Sequence, residues 1–255
     1  FPAWETVYGY FRRFQRDGTW EAVNRFLIRR TRRKAGRDVE PSAGIIDAQT
    51  VRCAPQAGIR GLDAGKKTNG RKRHIAVDTL GLLLVVFVTA GSVQDRAAAP
   101  ILLGILSKRF PRLKHLWADG GYSGELVTWA KAALSWTVEI VKSLGGQRGF
   151  VVLPRRWVVE RSLAWMTRSR RLTRDYEGLP ETTEAWFYLA NIRLMLRRLT
   201  AAEPVLTACG GSNNEASAPA ATPSSTSSSP ASSATASAPA SASPTPSLQP
   251  TYDNP

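Results

Sequence analysis

The chain has 255 residues, of which 35 are Lys or Arg and 20 are Asp or Glu, and its formal net charge is +15. All of the Lys and Arg residues, and all but three of the acidic ones, lie before residue 201. A basic excess of this size in a folded region indicates a polyanionic partner, most simply nucleic acid, although a soluble basic protein without such a partner has the same composition.

Two cysteines and two histidines are too few for a disulfide framework or for a metal centre rich in thiolate or imidazole. Any bound metal should therefore be a hard cation held by carboxylate oxygens. No apolar segment approaches the roughly 20 residues of a membrane span, and the N-terminus has no pattern of a signal peptide. We therefore predict a cytoplasmic protein without a membrane partner.

Residues 1–40 predict a basic helical segment, because apolar residues recur at helical spacing and a run of Arg and Lys follows them. This segment either lies against a phosphate backbone or is an ordinary amphipathic helix pair with a solvated basic face. The chain begins with Phe1 rather than Met. We interpret the segment as the remnant of an N-terminal DNA-binding region.

Residues 44–90 predict three consecutive antiparallel strands, and Asp47 lies on the first of them. An Asp inside a strand is unfavourable by propensity, and burying its charge without a partner is costly, so such a residue usually has a use. The alternative is that Asp47 begins a loop. Residues 55–73 form a basic, Gly-rich segment without aromatic residues, which is typical of phosphate contacts unless the segment is simply solvated. Its candidate DNA-binding residues are Lys66, Lys67, Arg71, Lys72 and Arg73.

A helix over residues 93–109 is followed by the stretch RLKHLWADGGYSGE, residues 112–125. Its apolar residues predict a short buried strand, Asp119 stands where that strand ends, and Ser123 is a candidate N-cap of the next helix. A carboxylate at the carboxyl end of a central strand faces the crevice where open α/β sheets bind ligands. The alternative is that Asp119 only caps a turn.

After a strand at residues 137–141, a helical segment carries Arg156 and Glu160 four residues apart, and therefore on one face. Arg161 and Arg168 make its surroundings positive. Glu160 is either a functional carboxylate or simply an ion-paired one. A last helix is predicted over residues 183–199.

Residues 201–255 are rich in Ser, Ala and Pro and cannot bury enough apolar surface to offset the entropy of ordering, so we predict a disordered tail. Residues 206–210, LTACG, resemble the lipobox of bacterial lipoproteins. An acidic residue and a proline interrupt the segment before them, so we do not predict lipidation. We interpret the tail as a foreign segment joined by a chimeric reading frame.

The order of the predicted elements indicates a ribonuclease-H-like α/β fold over residues 41–200, in which a mixed sheet of three antiparallel and then parallel strands is flanked by helices. Strands one and four are neighbours in this plan, which would bring Asp47 and Asp119 together, with Glu160 presented from a helix. Three hard oxygen ligands suit two Mg²⁺ or Mn²⁺ ions.

Residues 1–199 resemble the bacterial insertion-sequence transposases of the insertion-sequence-five group, which have a DDE active site. The resemblance is carried by the motifs IIDAQTV, DAGKKTNGRKRHIAVDTLGLLL, VQDRAAA, LWADGGYSG and FVVLPRRWVVERSLAWMTRSRRLTRDYEGLPETTEAW. It implies that Asp47, Asp119 and Glu160 are the catalytic and metal-binding triad of an enzyme that cleaves DNA strands and transfers them.

Arg156 matches the Arg of the family's Tyr-Arg-Glu-Lys signature, and we count it with Arg161 and Arg168 among the DNA-binding residues. Leu153 stands at the Tyr position and Thr167 at the Lys position, with Arg168 beside it.

The resemblance also implies three partners: the terminal inverted repeats of the element, the target DNA, and further copies of the chain in a homo-oligomer on DNA. Two alternatives stay open. One is a nuclease of the same fold that cuts without joining. The other is a non-catalytic DNA-binding remnant, which the missing N-terminal region and the altered tail favour.

Overall fold

A six-stranded mixed sheet forms the centre of the protein, which the computed structural model describes over residues 1–141 and 155–201. Its strands are β1 (Ala43–Arg52), β2 (Gly61–Asp63), β3 (Thr68–Asp78), β4 (Leu83–Ala90), β5 (His115–Ala118) and β6 (Thr137–Ile140). The helices are α1 (Trp4–Arg16), α2 (Thr19–Lys34), α3 (Asp95–Arg109), α4 (Glu125–Leu134), α5 (Trp157–Thr167), α6 (Arg170–Thr173) and α7 (Pro180–Thr200). A 3₁₀ turn, Gly120–Tyr122, follows β5.

The strand order of the sheet is β2-β3-β1-β5-β6, and β4 also pairs with β3. β3 runs antiparallel to β1, β2 and β4, whereas β5 runs parallel to β1, and β6 runs parallel to β5. β1 thus lies beside β5, the strand that immediately precedes Asp119, as the ribonuclease-H-like plan requires. The predicted fold class is confirmed.

Both faces of the sheet are buried. The successive β1 residues Ile45 and Ile46 enter two different core clusters, because side chains alternate across a strand. The cluster with Ile46 includes Leu102 of α3 and residues of α4, whereas the cluster with Ile45 includes Val159 of α5. α7 contributes to both clusters. Two-sided burial explains why β4, with the sequence LLVVFVTA, is almost continuously apolar.

The predicted N-terminal helix pair is confirmed as α1 and α2, and α2 packs against α7. Leu27 and Ile28 of α2 belong to the Ile46 core cluster. Arg32 is buried in an ion pair with Asp78, and Lys34 donates hydrogen bonds to backbone carbonyls at the C-terminal end of α7. Part of the basic charge of this segment therefore stabilises the fold.

Two element boundaries differ from the sequence prediction. The basic segment 55–73 is not a loop throughout, because β3 already begins at Thr68 and its basic residues pair with the far end of β1. α4 begins after Gly124, whose φ of +93° favours glycine, and Ser123 does not cap it. The hydroxyl of Ser123 instead donates to the carbonyl of Gly120.

The predictions for Leu153 and for the tail beyond residue 201 lie outside the described residues. In the ranges 1–141 and 155–201, no helix combines the length and the apolar character that crossing a bilayer would require.

Candidate active site

Asp47 and Asp119 lie side by side at the end of the parallel strand pair. β1 and β5 pair in a register that puts Ile45 opposite Trp117, and each Asp lies two residues further along its own segment. Two residues are one side-chain repeat of extended backbone, and Asp119 keeps an extended conformation. Both carboxylates therefore share the face of Ile45, which α5 covers. The structure thus brings together the first two predicted site residues.

A tight turn fixes the position of Asp119. Its Oδ1 atom accepts a hydrogen bond of 2.9 Å from the backbone N–H of Gly121. A Cβ atom on Gly121 would lie 3.0 Å from that same oxygen, so the absence of a side chain leaves room for the carboxylate. Asp119 therefore caps a turn, and it also lies beside Asp47 at the end of the parallel strands. Capping the turn and facing the crevice are compatible.

The surroundings of Asp47 disfavour its charge. Burial raises the pKa of the Asp47 carboxyl to about 6, and the negative charge of Asp119 adds to the rise. The backbone N–H of Ala48 donates to Oδ1 at 2.7 Å, and the positive charges of Arg156 and Lys66 also act in the opposite direction. An acid destabilised by burial and by a neighbouring acid is strongly stabilised by a bound cation.

Tyr122 is a neighbour of this pair that the sequence analysis did not single out. It is buried, and its hydroxyl makes no hydrogen bond to any of the described residues. Burial, followed by the charges of Asp95, Asp47 and Asp119, raises the pKa of Tyr122 well above its usual value. Asp95, the first residue of α3, is ion-paired with Lys72 at 3.0 Å. The sequence signal for Tyr122 was only its position three residues after Asp119.

Glu160 lies in the first turn of α5 and is exposed. The Nη2 atom of Arg156 is 3.5 Å from its Oε1 atom, and the charge of Arg156 also acts on Asp47. Across residues 1–141 and 155–201, no three carboxylate, imidazole or thiol groups are close enough to hold one metal ion. The structure therefore groups Asp47 with Asp119 and leaves Glu160 with Arg156, as the ion-pair interpretation of Glu160 describes.

Two of the predicted DNA-binding residues in the basic segment are exposed beside this site. Lys66 and Lys67 lie in the connection between β2 and β3. The Nζ atom of Lys66 donates to the carbonyl of Ala48 at 3.1 Å, which holds this lysine next to Asp47.

The other three bases of that segment require a correction. Arg71, Lys72 and Arg73 are buried, because they belong to β3 at the centre of the sheet. Arg71 pairs with Asp175 at 3.2 Å, Lys72 pairs with Asp95, and Arg73 donates to a backbone carbonyl. Their charges are used inside the protein, so the prediction that they contact DNA is wrong.

Further along α5, Arg161 is half-buried between two aromatic rings. Its Cζ atom lies 4.2 Å from the ring centroid of Trp157 and 4.4 Å from that of Trp165. Thr167, at the Lys position of the signature, supplies no charge. Arg168 beside it is exposed, so this predicted DNA-binding residue is accessible.

A family model described as "Transposase DDE domain" matches residues 38–195. The protein "Putative transposase for insertion sequence element IS402" of Burkholderia cepacia is 29% identical to this chain over 116 residues. That alignment covers 42% of this chain and 54% of the relative. The chain therefore spans about half the length of the curated relative it matches.

Two solved structures are similar at a low level. The catalytic core domain of BIV integrase shares 17% identity with a TM-score of 0.38, covering 60% of this chain and 82% of that one. The catalytic domain of Mos1 mariner transposase shares 11% identity with a TM-score of 0.36, covering 71% and 88%. TM-scores this low do not establish a fold, which here rests on strand order and register.

Proposed function

The chain belongs to the DDE transposase domain family, and on this premise we propose that it catalyses Mg²⁺- or Mn²⁺-dependent cleavage and strand transfer of DNA at the ends of an insertion-sequence element. Asp47, Asp119 and Glu160 are the proposed catalytic and metal-binding residues. The observation that carries the proposal is the register of β1 and β5, which sets Asp47 beside Asp119.

The donor set supports a divalent cation. Two carboxylates on adjacent strands offer hard oxygen ligands, and the raised pKa of Asp47 reflects a charge that lacks sufficient compensation within the protein. Asp47 and Asp119 would hold the ions from the sheet, and Glu160 would join them from α5. When bound, two such ions activate the attacking oxygen and stabilise the leaving oxygen of a phosphodiester.

Two cations of the chain would orient the DNA backbone at this site. Lys66 is exposed next to Asp47 and would contact a phosphate oxygen as a point charge. The guanidinium of Arg156 pairs with Glu160 at 3.5 Å. We infer that Arg156 exchanges this carboxylate for a phosphate oxygen when DNA binds, which would release Glu160 toward the two aspartates.

The finer assignments are proposals drawn from the motifs. We propose that the element belongs to the insertion-sequence-five group, that residues 1–40 are a basic helical segment that contacts DNA, that residues 41–200 are the catalytic domain, and that residues 201–255 are a foreign tail. The proposed partners are terminal inverted repeats and target DNA, held by a homo-oligomer in the cytoplasm.

A second candidate function is DNA binding without catalysis. One observation favours it: Glu160 is paired with Arg156 and is not grouped with the aspartates. A nuclease that cuts without joining would use the same carboxylates, so it differs from the first proposal only in the transfer step.

The test is metal-dependent nicking of a supercoiled plasmid by the whole chain and by its Glu160→Gln variant. The matched control is Glu177→Gln, which also removes one carboxylate paired with an arginine, here Arg171 at 2.8 Å, but is not one of the proposed site residues. We expect nicking by the wild type and by the control, and none by Glu160→Gln. Equal nicking by all three proteins would refute the role of Glu160. Salt-sensitive binding of DNA without any nicking would support the second candidate function, DNA binding without catalysis.

A further inference from the structure

Arginines converge where the C-terminal half of α5 meets the C-terminal half of α7. We call this surface the arginine groove, and its principal lining residues are Trp165, Arg168, Ser169, Arg193 and Arg197. Arg168, Arg193 and Arg197 are exposed. Arg193 and Arg197 lie four residues apart on α7, so they project from the same side of that helix.

Two further arginines stand at the edge of the groove around Trp165. The Cζ atoms of Arg161 and Arg198 lie 4.4 and 4.6 Å from the centroid of its ring. Both guanidinium groups also donate to one backbone carbonyl, that of Leu80, at 3.4 and 3.5 Å. The positive charges of Arg161 and Arg198 thus share two uncharged partners, the Trp165 ring and the Leu80 carbonyl. Burial and the charge of Arg161 lower the pKa of Arg198, and the nearby charge of Asp78 opposes this shift.

Several arginines elsewhere in the described residues pair with carboxylates. Arg32 pairs with Asp78, and Arg109 pairs with Glu21. In contrast, among residues 1–141 and 155–201 no carboxylate forms an ion pair with any arginine in or beside the groove. The sequence explains this, since neither residues 161–174 nor residues 185–200 contain an Asp or Glu. The result is a concentrated positive potential at an open surface.

We propose that the arginine groove binds the phosphate backbone of duplex DNA. The inference rests on the proposed function, because it names a second surface for the same substrate. Guanidinium groups match phosphate oxygens with two parallel hydrogen bonds. The ring of Trp165 restricts the motion of Arg161 and Arg198 at the edge of the groove. Ser169 adds a hydroxyl that can donate to a phosphate oxygen.

The position of the groove fits the carboxylate site. Arg168 follows Glu160 by eight residues, which corresponds to about 12 Å along a helix. A turn of duplex DNA measures about 34 Å. A duplex with one phosphate near Glu160 can therefore reach Arg168 with a phosphate of the same turn.

The experiment measures the affinity of the whole chain for a short fluorescent duplex by anisotropy, in EDTA and over a series of salt concentrations. The test variant is Arg193→Ala/Arg197→Ala. The matched control is Lys108→Ala/Lys131→Ala, which removes the same charge from exposed positions on α3 and α4, over the opposite face of the sheet. Thermal unfolding confirms that each variant is folded.

Removing two phosphate contacts should lower the slope of log K against log salt by about 2, and the affinity at 0.1 M salt by roughly 10- to 100-fold. We expect the lysine control to change the affinity by less than about threefold. Arg193→Lys/Arg197→Lys should keep most of the slope, because it keeps the charges. Arg193→Gln/Arg197→Gln removes the same two charges but keeps more of each side chain, and it is the test variant should the alanine variant fail to fold.

Equal slopes for the wild type and the alanine variant would overturn the proposal. A change in the sedimentation of the protein without a change in slope would assign the groove to a second copy of the chain, and would overturn it as well. Plasmid nicking separates the two proposals. If the wild type nicks the plasmid but the alanine variant keeps the salt slope, only the proposal for the arginine groove is refuted. If the alanine variant loses salt slope but the wild type does not nick the plasmid, only the catalytic proposal is refuted.

Discussion

The sheet carries two groups of charged residues, and they are built in opposite ways. In one group, Arg71 donates to Asp175 and to backbone carbonyls, and Asp175 accepts from the hydroxyl of Thr183 with both oxygens. In the other group, Asp47 and Asp119 set two like charges side by side, and the pKa of Asp47 rises to about 6. A charge removed from water by itself therefore does not distinguish the candidate site in this protein. The candidate site is distinguished by charges that lack compensation.

This difference has an energetic meaning. A buried pair with complete hydrogen bonding is strongly destabilised when one partner is removed. Two adjacent acids, by contrast, reduce the stability of the folded state until a cation binds them, which is a common feature of active sites. Removing Asp175 from the first group should therefore lower the stability of the folded protein. Neutralising an aspartate of the second group should raise that stability and reduce activity.

The largest expected effect is on catalysis. Asp119→Asn keeps the size of the side chain and one oxygen for Gly121, but removes the charge of a proposed metal ligand. Metal-dependent plasmid nicking should fall on the order of 1000-fold or more, since several kcal/mol of transition-state stabilisation are lost, while DNA binding in EDTA stays within about twofold. Loss of cooperative unfolding in this variant would instead make Asp119 a structural residue.

The next effect concerns stability in the compensated group. Asp175→Ala leaves the guanidinium of Arg71 buried without its carboxylate. The free energy of unfolding should fall by about 3–5 kcal/mol, measured by urea denaturation at pH 7. A loss below about 1 kcal/mol would show that the backbone carbonyls around Arg71 compensate its charge without Asp175, and would remove the contrast between the two groups.

Asp47→Asn should act in the opposite direction. The pKa of Asp47 rises from 3.8 to about 6 on folding, so the folded state binds its proton more tightly than the unfolded chain. The stability associated with this proton is present below about pH 4 and is lost as the pH rises through about 6. At pH 7.5 without metal, Asp47→Asn should therefore raise the free energy of unfolding by about 1–3 kcal/mol.

At pH 3.5, Asp47→Asn should not be more stable than the wild type. At pH 7.5, Mg²⁺ should raise the free energy of unfolding of the wild type but not that of Asp47→Asn. Denaturation curves at the two pH values, with and without Mg²⁺, measure both effects. A destabilised variant at pH 7.5 would mean that the charge of Asp47 is already compensated in the folded protein.

The smallest expected effect is at Tyr122, which borders the uncompensated group. Its buried hydroxyl has no hydrogen-bond partner among the described residues, so Tyr122→Phe should change the free energy of unfolding by less than about 0.5 kcal/mol. The matched control is Tyr188→Phe, since the hydroxyl of Tyr188 accepts a hydrogen bond of 3.2 Å from Arg109. That variant should lose about 1 kcal/mol. Equal losses in the two variants would reveal a partner of Tyr122 in the folded protein.

The sequence by itself determined the sheet and the aspartate pair. Short apolar segments bounded by turn residues predicted β1, β4, β5 and β6, and the order of elements predicted the topology in which β1 neighbours β5. Once those two strands pair in register, Asp47 and Asp119 must be adjacent, because side-chain direction repeats every two residues. These are properties of local pattern and chain order, and both are visible in a sequence.

Tertiary structure alone decided which charges have partners. Arg71 and Asp175 are 104 residues apart, and no local pattern distinguishes Arg71 from the exposed Lys66 and Lys67 of the same basic segment. The pairing of Glu160 with Arg156, by contrast, was visible in their spacing. The physical reason is that the charge of a side chain is compensated by whatever lies within a few ångströms of it. For Arg32, Arg71 and Arg109, that neighbour comes from a distant part of the chain.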